Sequence, residues 1–128
     1  MTKVAARGRV LALDGDLCFQ NVVIAELEPA FEVLSCRNVP EALTVLGLPG
    51  EVRAVVADLH LGSGPGGINL LSYVRSLMPG CRRILLSGAA DAGEVQTALD
   101  RGIAHVFIRK PWERGALLAA VGIRAGYE

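Results

Sequence analysis

"LALDGDL", residues 11–17, is an apolar run that stops on Asp14 and Asp16 with Gly15 between them. A hydrophobic strand that reaches the surface and ends in two acids raises the question of what else arrives at the same place. Further short apolar runs lie at Arg9 to Leu13, Phe31 to Cys36, Ala54 to Ala57, Arg83 to Leu86 and His105 to Ile108, which predicts five strands. Segments of helical period separate them. Phe19, Val22, Val23 and Leu27 form one apolar stripe, Leu70, Leu71, Val74 and Leu77 a second, and Val95, Ala98 and Leu99 a third. "VPEALTVLG" is a shorter helix with Pro40 and Glu41 near its start and Gly47 at its end, and a last helix from about Glu113 carries Leu117, Leu118, Val121 and Ile123.

Strands and helices that alternate through short loops require a parallel sheet, because each return to a parallel neighbour needs a connection about as long as a helix. The expected architecture is α/β, a doubly wound (βα)5 domain of three layers with the flavodoxin-like strand order 2-1-3-4-5. A chain of 128 residues with 52% apolar residues suits one domain with a packed core, and it contains neither a repeat nor a low-complexity tract. Thirteen basic residues balance thirteen acidic ones, and basic residues occur only in short pairs such as Arg82-Arg83 and Arg109-Lys110. That pattern makes no phosphate-binding face, so direct nucleic-acid binding is not expected. No stretch reaches the roughly 18 apolar residues of a membrane helix, and no leader pattern opens the chain, so no membrane association and a cytoplasmic location are expected. Cys18, Cys36 and Cys81 are odd in number and far apart, and are read as buried thiols rather than as a disulfide framework or a zinc site.

In open parallel sheets, ligands sit at the carboxyl ends of the strands. Those positions hold Asp14 and Asp16 after the first strand, Asp58 after the third, Ser87 after the fourth, and Lys110 followed by Pro111 after the fifth. Carboxylates with a hydroxyl and an ammonium at one edge are what a magnesium ion and a phosphoryl group require: hard oxygen ligands for the cation and donors for the phosphate oxygens. An isolated acid at a strand end is usually solvated or caps the next helix. Agreement among four strand ends carries the reading.

Over essentially its whole length the sequence resembles the receiver domain of bacterial two-component response regulators, through "RVLALDGD", "VVADLHLGSGPGGINLL", "ILLSGAAD" and "GIAHVFIRKPW". The ending "KPW" is similar to a subgroup attached to transcriptional or cyclic-dinucleotide-hydrolysing output domains. The resemblance implies a single receiver domain over residues 1–128 with Asp58 as phosphoacceptor. It further implies a Mg²⁺ pocket from Asp14, Asp58 and the main-chain carbonyl of His60. Ser87 and Gly88 would contact the phosphate, Phe107 would be the switch aromatic, and Lys110 the phosphate-contacting lysine. Independently of the resemblance, Pro111 fixes the backbone after Lys110 and is a candidate for a cis bond that aims the ammonium. Implied partners are a histidine kinase or histidine phosphotransfer protein, an output domain or protein, and a second copy through the fourth-helix, fifth-strand and fifth-helix face.

The chemistry agrees. A carboxylate becomes an effective nucleophile when its phosphoryl donor is fixed in line and the charge on the transferring oxygens is offset by a cation. The resulting acyl phosphate adds charge and acceptor oxygens that draw Ser87 inward and let Phe107 turn, shifting the population between two packings. Gly15 departs from the family pattern, which has a second acid there, so weak Mg²⁺ binding and slow phosphorylation are expected, and a phosphorylation-independent pseudo-receiver is an alternative. Asp16 either leans into the metal pocket or caps the first helix. "LDGDLC" also resembles the first motif of haloacid-dehalogenase-type phosphatases, in which Asp14 would attack phosphate and Asp16 would be the acid/base. Against that reading, no cap insertion follows the first strand and Asp58 would have no role.

Other features carry less. "LGSGPGG", residues 61–67, lacks the ending of a nucleotide-binding loop and is read as a mobile loop beside Asp58. His60 and His105 have no ligand partners at metal spacing and are read as surface residues. Phe107 is also compatible with a plain core position, and Trp112 with a partner surface or a cover for the sheet edge.

Overall fold

The computed structural model describes residues 8–61, 66–88 and 91–122. Ten elements alternate: β1 (Arg9–Leu13), α1 (Leu17–Leu27), β2 (Glu32–Cys36), α2 (Val39–Leu46), β3 (Ala54–Asp58), α3 (Gly66–Leu77), β4 (Arg82–Ser87), α4 (Ala92–Asp100), β5 (Val106–Arg109) and α5 (Ala116–Gly122). All neighbouring strands pair in parallel, in the order β2-β1-β3-β4-β5. This is the flavodoxin-like arrangement read from the sequence, with strand bounds within a residue or so of those expected.

The two-residue period of the strands divides the core into two layers. Leu11, Leu13, Val55, Ala57 and Leu85 face Ala42 of α2, Leu70, Leu71 and Val74 of α3, and Val95 and Ala98 of α4. Val10, Ala12, Val56, Ile84 and Leu86 face Val23 and Leu27 of α1 and Leu117 and Val121 of α5. A fully buried Leu or Val contributes about 1.5–3 kcal/mol relative to exposure. The central strands therefore hold the fold through their middles, and their ends are left free to carry polar groups.

Helix starts follow capping chemistry. Asp16 Oδ1 accepts the Cys18 amide at 2.8 Å to open α1, and Asn38 Oδ1 accepts Glu41 N at 2.9 Å to open α2. α5 begins at Ala116 rather than near Glu113, because Gly115 takes a left-handed backbone (φ +96°) just before it. Glu26, on α1, supplies an acceptor for that helix start: its Oε2 accepts Leu118 N at 2.8 Å.

Several local expectations are corrected. Gly66 and Gly67 belong to α3 and not to a loop; residues 62–65 of the glycine-rich stretch lie outside the described residues, as does Ile123. Cys36 and Cys81 are buried, and burial pushes both thiols up to about 11, but Cys18 is exposed on the solvent side of the first turn of α1. Val22 and Leu77, placed in apolar stripes by their spacing, are about half exposed at 48% and 51%. Among the described residues no helix is long and apolar enough to cross a membrane.

Candidate functional site

Three of the four strand ends meet in one charged cluster. Asp14 follows β1 and is 2% exposed, Asp58 is the last residue of β3, and Lys110 follows β5. The Lys110 ammonium lies 2.7 Å from Asp14 Oδ2 and 3.3 Å from Asp58 Oδ1. Its remaining approach is covered by Phe19 of α1, whose ring centre is 4.3 Å from Nζ. The Lys110–Pro111 peptide bond is cis.

The carboxylates differ in how they are held. Asp14 Oδ1 accepts the Asp16 amide at 2.8 Å. Asp14 Oδ2 is buried without a hydrogen bond of good geometry, and the Lys110 ammonium pairs with it by charge alone. Burial raises the Asp58 carboxyl above its ordinary value, Lys110 opposes this, the Asp14 charge adds to it, and hydrogen bonds from Lys110 and the His60 backbone lower it. Asp58 is thus a more basic carboxylate than an exposed one, and it stands beside a fixed cation.

The backbone of Asp58 is clamped from beneath. A Cβ on Gly67 would fall 2.0 Å from the Asp58 carbonyl oxygen, so α3 enters with bare backbone against the end of β3. Gly67 N donates to Leu59 O at 3.2 Å, and Leu59 N donates across to Leu86 O at 2.8 Å.

Ser87, at the end of β4, is fully buried, but its hydroxyl donates to Asp91 Oδ2 at 2.5 Å and not to the charged cluster. The other Asp91 oxygen lies 2.9 Å from His60 Nε2. That contact raises the His60 imidazole above its ordinary value, while Ser87 and then His60 hold Asp91 below its own. Gly88 is exposed, with nothing near where a Cβ would stand. Phe107 is half-buried on β5 and packs into the α2–α4 layer. Asp16 is exposed, and one of its oxygens is occupied by capping α1.

Asp14 and Asp58 offer a hard divalent cation two carboxylates, one with a buried oxygen that lacks a hydrogen bond. Magnesium commonly accepts one or two carboxylates and keeps several waters, so the pair fits it. No group of three or more His, Cys, Asp or Glu side chains that could hold a metal occurs among the described residues, and residue 15, between Asp14 and Asp16, is glycine.

Three contacts were not read from the sequence. Asp91 precedes α4 and has the residue type of a cap, yet it makes no side-chain cap bond. His60 is exposed as expected, at 56% of its side chain, but is paired. Trp112 donates its indole N–H to Glu26 Oε1 at 2.9 Å and packs on Phe19 with ring centres 6.0 Å apart. Glu26 and Trp112 are separated by 86 residues, a distance no local pattern spans.

No protein-family model matches the chain. It is 28% identical over 119 residues to the hydrogenase transcriptional regulatory protein HoxA of Bradyrhizobium diazoefficiens, which covers 92% of this chain. The chain spans about a quarter of the length of the curated relatives it matches, 24% and 23%. Its structural neighbours include response-regulator receiver domains, and its fold is theirs. The signal receiver domain of an HD domain-containing protein from Pseudomonas fluorescens matches with a TM-score of 0.81 at 27% identity, over 95% of this chain and 89% of that one. A Burkholderia pseudomallei response regulator, described with a phosphorylated aspartic acid, calcium ion and citrate, matches with a TM-score of 0.77 at 28% identity, over 89% and 66%. A Rhodopirellula baltica structure described as an adenylate cyclase matches with a TM-score of 0.83 at 25% identity, over 91% and 85%.

Proposed function

We propose that the chain, residues 1–128, is a single phosphoacceptor receiver domain that takes a phosphoryl group on Asp58 and signals by changing protein contacts. The observation that carries this reading is the Lys110 ammonium held between Asp14 and Asp58 at the carboxyl edge of the sheet. A carboxylate oxygen of Asp58 attacks phosphorus, the bond from phosphorus to the donor's leaving group breaks, and the leaving group departs with that electron pair. The product is an aspartyl phosphate. Lys110 offsets charge on the transferring oxygens, and the close approach of Gly67 supports the main chain of Asp58 from beneath. Mg²⁺, held by Asp14, Asp58 and the His60 carbonyl, supplies further charge compensation when bound. Asp16 serves α1 as a cap, and the missing acid at Gly15 makes the ion weakly held.

Once phosphate is on Asp58, Ser87 and the Gly88 amide supply donors to it, and Phe107 turns in behind Ser87. The surface of α4, β5 and α5 then changes shape for an output domain, a protein partner or a second copy of the chain. The phosphoryl donor is a histidine kinase or a histidine phosphotransfer protein. The domain is a switch and not an enzyme, works in the cytoplasm, and makes no direct contact with nucleic acid or membrane. Likeness to named regulators and to a neighbour described with a phosphorylated aspartic acid supports this reading.

Intact mass after incubation with acetyl phosphate, with and without Mg²⁺, tests it. The expected result is a gain of one phosphoryl group that requires the metal and disappears in Asp58→Ala. Labelling that survives Asp58→Ala but not Asp14→Ala overturns the reading in favour of the phosphatase chemistry of Asp14 and Asp16. No labelling under any condition makes the chain a phosphorylation-independent pseudo-receiver.

A further inference from the structure

The Ser87 hydroxyl has one proton, and it is given to Asp91 at 2.5 Å. A hydroxyl engaged this way has no proton left for an oxygen on Asp58. Asp91 is itself braced, since its second oxygen is paired with His60 Nε2 at 2.9 Å. Both partners leave the residue in a conformation (φ −113°, ψ 30°) that makes no cap bond, although Asp91 stands at the N-cap position of α4. The chain thereby forgoes the stabilisation that Asp16 and Asn38 provide to α1 and α2. The far end of α4 is held by other means: Arg75 Nη1 donates to Arg101 O at 2.6 Å, and Arg83 donates to Gly102 O and Ile103 O. The start of the helix is tied through Asp91 to Ser87 on β4 and to His60 after β3.

We propose that Asp91, braced by His60, is a positioning residue that holds the Ser87 hydroxyl away from Asp58, so that a phosphoryl group on Asp58 must take Ser87 from Asp91. This rests on the receiver reading. Released from Ser87, the Asp91 carboxylate becomes available to the free amides at the start of α4. The exchange of one hydrogen bond for another therefore links events at Asp58 to the position of the first turn of α4. It is a competition between two acceptors for one donor, and its balance is set by the strength of the Ser87–Asp91 bond.

Beryllofluoride, a phosphoryl analogue, measures that balance in the full chain with Mg²⁺ by calorimetric titration. Asp91→Asn keeps a side chain of the same shape and capping ability but replaces a charge-assisted bond by a neutral one, and is expected to lower the half-saturating concentration about fivefold to tenfold. His60→Gln, an exposed position, is expected to lower it about twofold to threefold by loosening the brace, as exposed pairs contribute less. On a Ser87→Ala background, Asp91→Asn is expected to change nothing. Binding that is unmoved or weakened in Asp91→Asn overturns the proposal, as does an equal gain on the Ser87→Ala background, which would mean that Asp91 acts through its charge alone. Absence of binding in wild type and variants alike overturns the receiver reading and this proposal with it.

Discussion

A buried cation and a largely buried one stand at opposite edges of the sheet, and they are satisfied in opposite ways. At the amino-terminal edge Arg83, 5% exposed, donates to the carbonyls of Pro79, Cys81, Gly102 and Ile103, while its amide donates to His105 Nδ1. No carboxylate is among these partners, and burial pulls the guanidinium below its ordinary value. At the carboxyl-terminal edge Lys110 meets two carboxylates and the face of Phe19. A planar fork spread over fixed carbonyls is a staple: it joins the loops before β4 and β5 and leaves no charge for a ligand to answer. A point charge between two acids leaves one negative charge over, in a setting that can exchange partners. One edge is built to stay, and the other is the one proposed to react.

The sharpest way to break this contrast is Arg83→Met. It leaves several buried carbonyls without donors and is expected to cost about 3 kcal/mol of stability or more, read as a lowered urea midpoint. Acetyl phosphate labelling at a temperature where the variant is folded should be retained. A loss below about 1 kcal/mol would mean that water replaces the staple.

Lys110→Met reverses the pattern. The labelling rate is expected to fall about 100-fold, as when a donor to developing charge is removed. The same change removes the cation that lowers the Asp58 carboxyl, so its value rises further above 3.8. A carboxyl held higher in the folded state than in the unfolded chain adds stability below 3.8, and that stability is lost as pH rises through the folded value. The variant should therefore lose stability between pH 4 and neutrality more steeply than wild type, in urea titrations at about six pH values. Parallel curves for the two proteins would show that Lys110 does not govern Asp58.

The smallest expected effect sharpens the reactive edge. Gly15→Asp meets only Arg37 O, 3.8 Å from where its Cβ would stand, in a backbone that ordinary residues adopt. It is expected to tighten Mg²⁺ about tenfold by calorimetry, with stability changed by less than about 0.5 kcal/mol. Unchanged Mg²⁺ affinity would place the ion away from Asp14 and Asp58.

The fold was legible because period alone assigns faces: alternating positions such as Leu11 and Leu13 against Val10 and Ala12 fall into separate core layers. Convergence of Asp14, Asp58 and Lys110 followed from topology, since parallel strands deliver their ends to one edge. Ser87 reached that edge too, but the partner of a hydroxyl depends on a single rotation, which no spacing encodes. Asp91 looked like a cap, and only its backbone angles and bonds show that its carboxylate is used elsewhere. The carbonyl cage of Arg83 was hidden because main-chain acceptors carry no residue identity. The start of α5 lies three residues beyond Glu113 because Gly115 and a distant Glu26 decide it.

The chain's sole tryptophan packs, tilted by 32°, against the ring that covers the Lys110 ammonium. Indole emission is sensitive to nearby charge and to the orientation of neighbouring rings, and Trp112 is two residues from that ammonium in sequence. The chain thus carries an intrinsic optical reporter one ring removed from the charged cluster, and occupancy there is expected to be readable in real time without attaching a dye.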